Sequence, residues 1–215
     1  MNYKYTYIIL IIYSFVFSAD ATEKKQNSSF YNKDGSSKIN LISSNISETT
    51  LEITVDGHIV NEVLENQYNI KIDKGSPILL KGAPDLPRLN TSIIIPDQAN
   101  MSIKVIDSDY IELEDINIIP SKGNLTRDIN PSSVPYTYSK HYQKDTFYPN
   151  NLVSLGNPYI IRDVRGQSVI INPIQYNPIT KILRIYNRIV VNIYEDENIF
   201  NKKTKNSIQR YNSEI

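Results

Sequence analysis

An all-β domain is predicted, an antiparallel β-sandwich or barrel-like fold with long loops. Three observations predict it. Apolar and polar residues alternate with period two in several short segments. Turn signals separate these segments at short intervals. No window of comparable length holds a sustained helical period. Composition agrees, because the chain is rich in isoleucine and asparagine and carries 16 tyrosines. Such residues suit strands and turns better than helices.

The first 21 residues stand apart from the fold. Lys4 precedes an apolar, uncharged run from Thr6 to Phe17, and Ala19-Asp20-Ala21 follows. Basic start, apolar middle and small-residue site form a secretory signal peptide, with cleavage after Ala21. The run falls short of the about 20 apolar residues a membrane span requires. The mature chain is therefore expected outside the cytoplasm (periplasm, cell surface or medium) with no membrane span. Residues 22–38 are polar and aperiodic, and read as a disordered leader.

The β-domain is expected over 39–195. Leu51, Ile53 and Val55 share one face of a half-buried strand, with Glu52 and Thr54 opposite. Asp56-Gly57 marks a turn. A short helix is conceivable at Val60–Glu65. Tyr68, Ile70 and Ile72 alternate next, followed by the loop Gly82-Ala83-Pro84-Asp85-Leu86-Pro87. Ile93 to Ile95 stop at Pro96. Met101, Ile103 and Val105 alternate, as do Ile111 and Leu113.

The strongest signal comes last. Leu183, Ile185, Ile189, Val191 and Ile193 fall on one face, and Asn187 interrupts it, which predicts a bulge. Asn177-Pro178 and a short polar stretch separate this run from Gln167–Tyr176, so the two are expected to form a hairpin. Between Pro120 and Pro158 the period vanishes, apart from a possible short helix at Tyr138–Tyr142. Loops beyond ~12–15 residues are generally functional or disordered. Residues 196–215 read as a polar tail or linker.

Charge and side-chain inventory exclude several functions. Lys+Arg 23 balances Asp+Glu 23, which argues against nucleic-acid binding. With Cys 0 there are no disulfides, thiolate zinc sites or thiol nucleophiles. The two histidines, His58 and His141, have no partner at triad or metal spacing and read as surface residues. Asp107, Asp109, Glu112, Glu114 and Asp115 cluster, but lack the glycine and spacing of a calcium loop. They read as a solvated strand face. No cofactor and no catalytic activity are expected.

Two stretches resemble the propeptide domain of gingipain-type cysteine peptidases (peptidase family C25). The first is Gly82, Pro84, Leu86 and Pro87, followed by the isoleucine run that ends at Pro96. The second is Arg165-Gly166, Pro173, Tyr176-Asn177-Pro178 and Leu183 to Tyr186. Ser168 departs from the larger or basic residue common in the family. These motif residues read as fold-shaping rather than chemical. The resemblance implies a bacterial, secreted, β-rich domain that inhibits and assists the folding of a Cys/His peptidase until it is removed. The partner would be a gingipain-like catalytic domain, in cis or in trans. The catalytic domain itself is not expected in this chain, which reads as a fragment or a relative of a zymogen prodomain. An exported structural or adhesive β-module is the rival reading.

The resemblance also sharpens the aperiodic loop. If the cognate peptidase cleaves after basic residues, Arg127 or Lys122 could fill its acidic specificity pocket. Arg127 is the better candidate, because only arginine offers a planar fork. Tyr136, Tyr138, Tyr142, Tyr148 and Tyr159 form a second candidate contact surface.

Overall fold

The computed structural model describes residues 35–196. Ala21, the signal peptide, most of the leader and nearly all of the tail lie outside them. Among the described residues eleven strands follow in order. They are β1 (Ser37–Ser44), β2 (Glu48–Val55), β3 (His58–Leu64), β4 (Gln67–Ile72), β5 (Ser76–Pro77) and β6 (Pro87–Ile94). Then come β7 (Met101–Leu113), β8 (Val153–Ile161), β9 (Val164–Ile171), β10 (Ile174–Asn177) and β11 (Ile182–Glu195). All ladders among them are antiparallel.

β11 is the spine of the larger sheet. Along its whole length it pairs with β7 on one side. On the other side its first residues pair with β10 and its later ones with β2, which in turn pairs with β1. The expected bulge is present at Asn187, between the Tyr186–Tyr110 and Arg188–Asp109 pairs. A second bulge at Ile106 on β7 compensates for it, between Val105–Val191 and Asp107–Val190. One extra residue on each strand restores register and adds local twist.

A second sheet runs β5-β6-β9-β8, and β3 with β4 forms a separate ribbon. The inner faces of all three meet in one apolar cluster. Leu51, Ile53 and Val55 of β2 pack there with Ile70 and Ile72 of β4, Leu89 of β6 and Val169 and Ile171 of β9. Leu183, Ile185, Ile189, Val191 and Ile193 supply the β11 side, each no more than 2% exposed. Full burial of a side chain of this size contributes about 1.5–3 kcal/mol. The period-two pattern therefore has a direct energetic reason.

Several sequence expectations change in detail. β1 begins at Ser37, inside the stretch read as leader, and β8 begins at Val153, inside the stretch read as aperiodic. The run Gln167–Tyr176 is not one hairpin arm. It breaks at Asn172-Pro173, where the chain leaves the second sheet (β9) and enters the first (β10). Proline cannot donate to a ladder, so a sheet switch is a natural place for it. Only Ile174–Asn177 pairs with Ile182–Ile185. Val60–Glu65 is not helical, because β3 occupies it and pairs with β4 through Val60–Ile70 and Asn61–Asn69. The helix expected near Tyr138–Tyr142 is a 3₁₀ turn at Lys140–Gln143, capped by the Ser139 hydroxyl.

Candidate functional site

The Gly82–Pro87 segment is a buried strap that fixes the base of the long loop. Gly82 N–H donates to Ser121 O at 2.8 Å, and Ser121 N–H donates to Ala83 O at 2.7 Å. Asp85 N–H reaches Ile119 O, and Pro84 lies opposite Pro120. From the far end of the loop, Ser139 N–H donates to Gly82 O. Gly82 has φ +80, and a Cβ there would stand 3.1 Å from the Ser139 Cβ and backbone nitrogen. Glycine is required on both counts. Ala83, Pro84, Leu86 and Pro87 are buried. Asp85 is half-buried, and burial raises its carboxyl above the usual range, with Lys71 partly opposing.

The loop rising from this base is closed by side-chain bonds. Lys122 Nζ donates to Pro131 O at 2.6 Å and lies 4.3 Å from the centre of the Tyr136 ring. This single ammonium ties the two ends of the 122–131 segment together. Asn130 Oδ1 accepts from Ser132 N–H and caps a 3₁₀ turn at Pro131–Ser133. Between these clamps a β-turn runs from Thr126 to Ile129, closed by Ile129 N–H to Thr126 O at 3.1 Å. Arg127 is exposed at the first corner of that turn. Asp128 follows, its carboxyl held below the ordinary range mainly by a hydrogen bond from Thr126. The two basic candidates therefore separate. Lys122 is engaged within the loop, and Arg127 is presented outward.

The C-terminal motif residues have structural duties. Arg165 donates to Pro96 O at 2.7 Å and Ala99 O at 2.8 Å, holding the turn after β6. Gly166 lies under the Tyr159 ring, where a Cβ would come within 2.8 Å. Pro173 O accepts from Tyr186 N–H, and Tyr176 exchanges two backbone bonds with Tyr148. Asn177 donates to Asp145 and accepts from Ile179 N–H, which shapes the turn around Pro178. Through Tyr148 and Asp145 these residues anchor the far part of the aperiodic region. Sequence reading missed this, because such bonds leave no period.

Both histidines are half-buried, which corrects the surface reading. His141 Nδ1 lies 2.9 Å from Ser139 Oγ, and its ring meets Tyr148 edge-on. Its pKa is lowered by burial and then by Lys144 and Lys140. Burial also lowers the pKa of His58, whose Nε2 has no hydrogen-bond partner among the described residues. The acidic residues near β7 bind basic neighbours across the sheet. Arg188 bridges Glu52 and Asp107, Arg184 holds Glu112, and Lys181 reaches Asp115. Among the described residues no group of three or more His, Asp or Glu could hold a metal ion. No helix among them is long and apolar enough to cross a membrane.

The chain has close relatives. It is 45% identical over 122 residues to Gingipain R2 of Porphyromonas gingivalis, covering 57% of this chain and 17% of the relative. It is 44% identical over 127 residues to Gingipain R1 of the same species, covering 57% of this chain and 13% of that one. The chain thus spans less than a fifth of the length of these relatives. A solved complex of the pro- and mature domains of RgpB from P. gingivalis matches with TM-score 0.71 and 37% identity. That match covers 74% of this chain and 83% of the other. A structure describing the zymogenic latency of gingipain K, also from P. gingivalis, matches with TM-score 0.64 and 16% identity over 77% of this chain and 96% of the other. At that identity the second likeness speaks for the fold alone. Kinship with the gingipains supports an extracytoplasmic location. The matched family is that of the propeptide rather than a catalytic domain, and its profile, described as Propeptide_C25, spans residues 29–214. The chain belongs to the propeptide family of C25 cysteine peptidases, the gingipain type.

Proposed function

We propose that this domain keeps a gingipain-like cysteine peptidase latent, acting in cis before processing or in trans after it, and assists its folding. Residues 1–21 serve as a signal peptide cut after Ala21, and 196–215 serve as a polar tail or linker. The observation that carries the inhibitory reading is the placement of Arg127. It stands at an exposed turn corner inside a segment closed by Lys122 and Asn130. A cleft-blocking element gains from being ordered beforehand, because binding then costs less side-chain and loop freedom. It must also resist being cut, and a loop held at both ends by the Gly82 strap resists better than a free tail. A planar guanidinium at the corner suits a bidentate partner carboxylate in a specificity pocket. The domain itself then needs no nucleophile, and none of its motif residues is asked to do chemistry.

The test is inhibition of the separately purified peptidase domain by this chain. Arg127→Ala is expected to weaken inhibition by about 2–4 kcal/mol, since it leaves the partner's buried charge unpaired. Thermal stability should stay unchanged, because the side chain is exposed. Unchanged inhibition would remove Arg127 from the mechanism. No inhibition by the intact chain at micromolar concentration would end the reading.

A further inference from the structure

A groove lies beside the base of the loop. It has a volume of about 310 Å³ and opens between the β3–β4 turn and the 3₁₀ turn at Lys140–Gln143. Its lining includes Glu65, Gln67 and Asn117 together with Tyr138, Tyr142 and Tyr176. Tyr138 is the unusual member. It is 56% exposed, yet it is held at two points. Its hydroxyl donates to Gln67 Oε1 at 3.0 Å, and its ring meets Tyr142 edge-on at 4.7 Å. Tyr142 is itself fixed by donating to Ile118 O at 2.8 Å. An exposed ring locked in this way loses little freedom when something covers it.

The charge of the groove selects its occupant. The lining carries one carboxylate, Glu65, and no lysine, arginine or histidine. Glu65 forms no ion pair among the described residues. Electron-rich aromatic faces beside a carboxylate attract a cation by charge and by the ring quadrupole. The contrast with the neighbouring loop is informative. There the Tyr136 ring already receives Lys122. At Tyr138, two residues on, no such cation is supplied among the described residues. We infer that this groove receives a lysine or arginine side chain of the docked peptidase, a second anchor beside the loop. The inference rests on the proposed inhibitory function for its partner, and on the groove alone for its chemistry.

Two measurements test it. In the first, N-acetyl-arginine amide is titrated into the full chain and followed by NMR at Gln67, Asn117 and the Tyr138 ring. Saturable shifts are expected, with N-acetyl-citrulline amide, the neutral isostere, binding at least tenfold more weakly. Glu65→Gln and Tyr138→Ala should abolish the response, and Tyr138→Phe, which keeps the ring, should retain most of it. Equal binding of the two amides, or none, overturns the proposal. In the second, Glu65→Gln and Tyr138→Ala should each weaken inhibition of the peptidase about tenfold, the scale of a desolvated cation–aromatic contact. Glu65→Lys should weaken it further. Full inhibition by all three variants overturns the docking role. If Arg127→Ala is silent while the groove variants are not, the loop reading fails and the groove stands.

Discussion

The β11-centred sheet and the segment from Glu114 to Leu152 are built on different principles. In β2 and β11 of the sheet, alternate apolar side chains are driven into one core. Leu183, Ile185, Val191 and Ile193 are at most 2% exposed, and backbone ladders form on both sides of β11. In the loop segment few side chains are buried, and order comes from point contacts. Gly82 meets Ser121 and Ser139, Lys122 meets Pro131, and Tyr148 meets Tyr176. Burial is cooperative and contributes most of the stability. Point contacts are each worth about 0.5–1.5 kcal/mol net, and they fix a shape rather than the fold. The domain thus separates what keeps it folded from what would touch a partner.

The largest expected effect tests the sheet. Ile185→Asp would place an unpaired charge at the centre of the core. Its cost of several kcal/mol is comparable with the about 5–15 kcal/mol stability of a whole domain. Loss of cooperative thermal unfolding is expected. Unchanged stability would show that the core is not where the period-two pattern puts it.

That pattern is also why the sheet was readable from the sequence. Alternation reports which residues are covered, so β2, the Asn187 bulge and the buried positions of β11 were legible, whereas β8 was not. It does not report which strands pair. The run Gln167–Tyr176 looked like one arm of a hairpin, yet Pro173 turns it from one sheet to the other. At Val60–Glu65 the strand β3 has little core to face, so its apolar spacing was too weak to exclude a helix. In the loop segment almost nothing was legible beyond the composition. The acceptors of Lys122 and Arg165 are backbone carbonyls, which any residue offers. Arg127 could be named as a candidate, but that Lys122 serves it as a clamp could not.

A smaller effect is expected where the two regions join. Gly82→Ala forces a side chain into the left-handed region and against Ser139. The conformational penalty is about 1–2 kcal/mol. The urea midpoint should fall without a change in slope, and hydrogen exchange should rise first in the 121–139 segment. A uniform rise across β11 would mean that the strap belongs to the global folding unit.

Smaller again is Lys122→Met, which keeps the stem and removes the bond to Pro131 O. The expected stability loss is under about 1 kcal/mol, as for an exposed hydrogen bond. The loop should nevertheless loosen. Proteolysis within 123–131 should accelerate, and inhibition of the peptidase should weaken about tenfold as the ordering cost returns to the binding step. Equal inhibition with faster proteolysis would show that Arg127 does not depend on a preordered loop.

The smallest effect has the opposite sign and concerns Asp85, the one ionisable side chain in the buried strap. Burial raises its folded-state pKa above the ordinary carboxylate value, and Lys71 only partly offsets this. The folded state therefore holds the proton more tightly than the unfolded chain does. Ionisation penalises the fold, and the penalty is fully present once pH exceeds the folded pKa. It fades as pH falls through that value and is gone below the unfolded one. Asp85→Asn removes the charge and leaves the backbone bond to Ile119 O in place. The variant should be more stable at pH 7 by no more than about 1 kcal/mol, solvent screening being substantial at a half-exposed site. Near pH 3 the two proteins should unfold together. Destabilisation of Asp85→Asn at pH 7 would mean that attraction to Lys71 outweighs burial. The strap would then hold the loop by charge as well as by backbone geometry, and the contrast between the two regions would narrow.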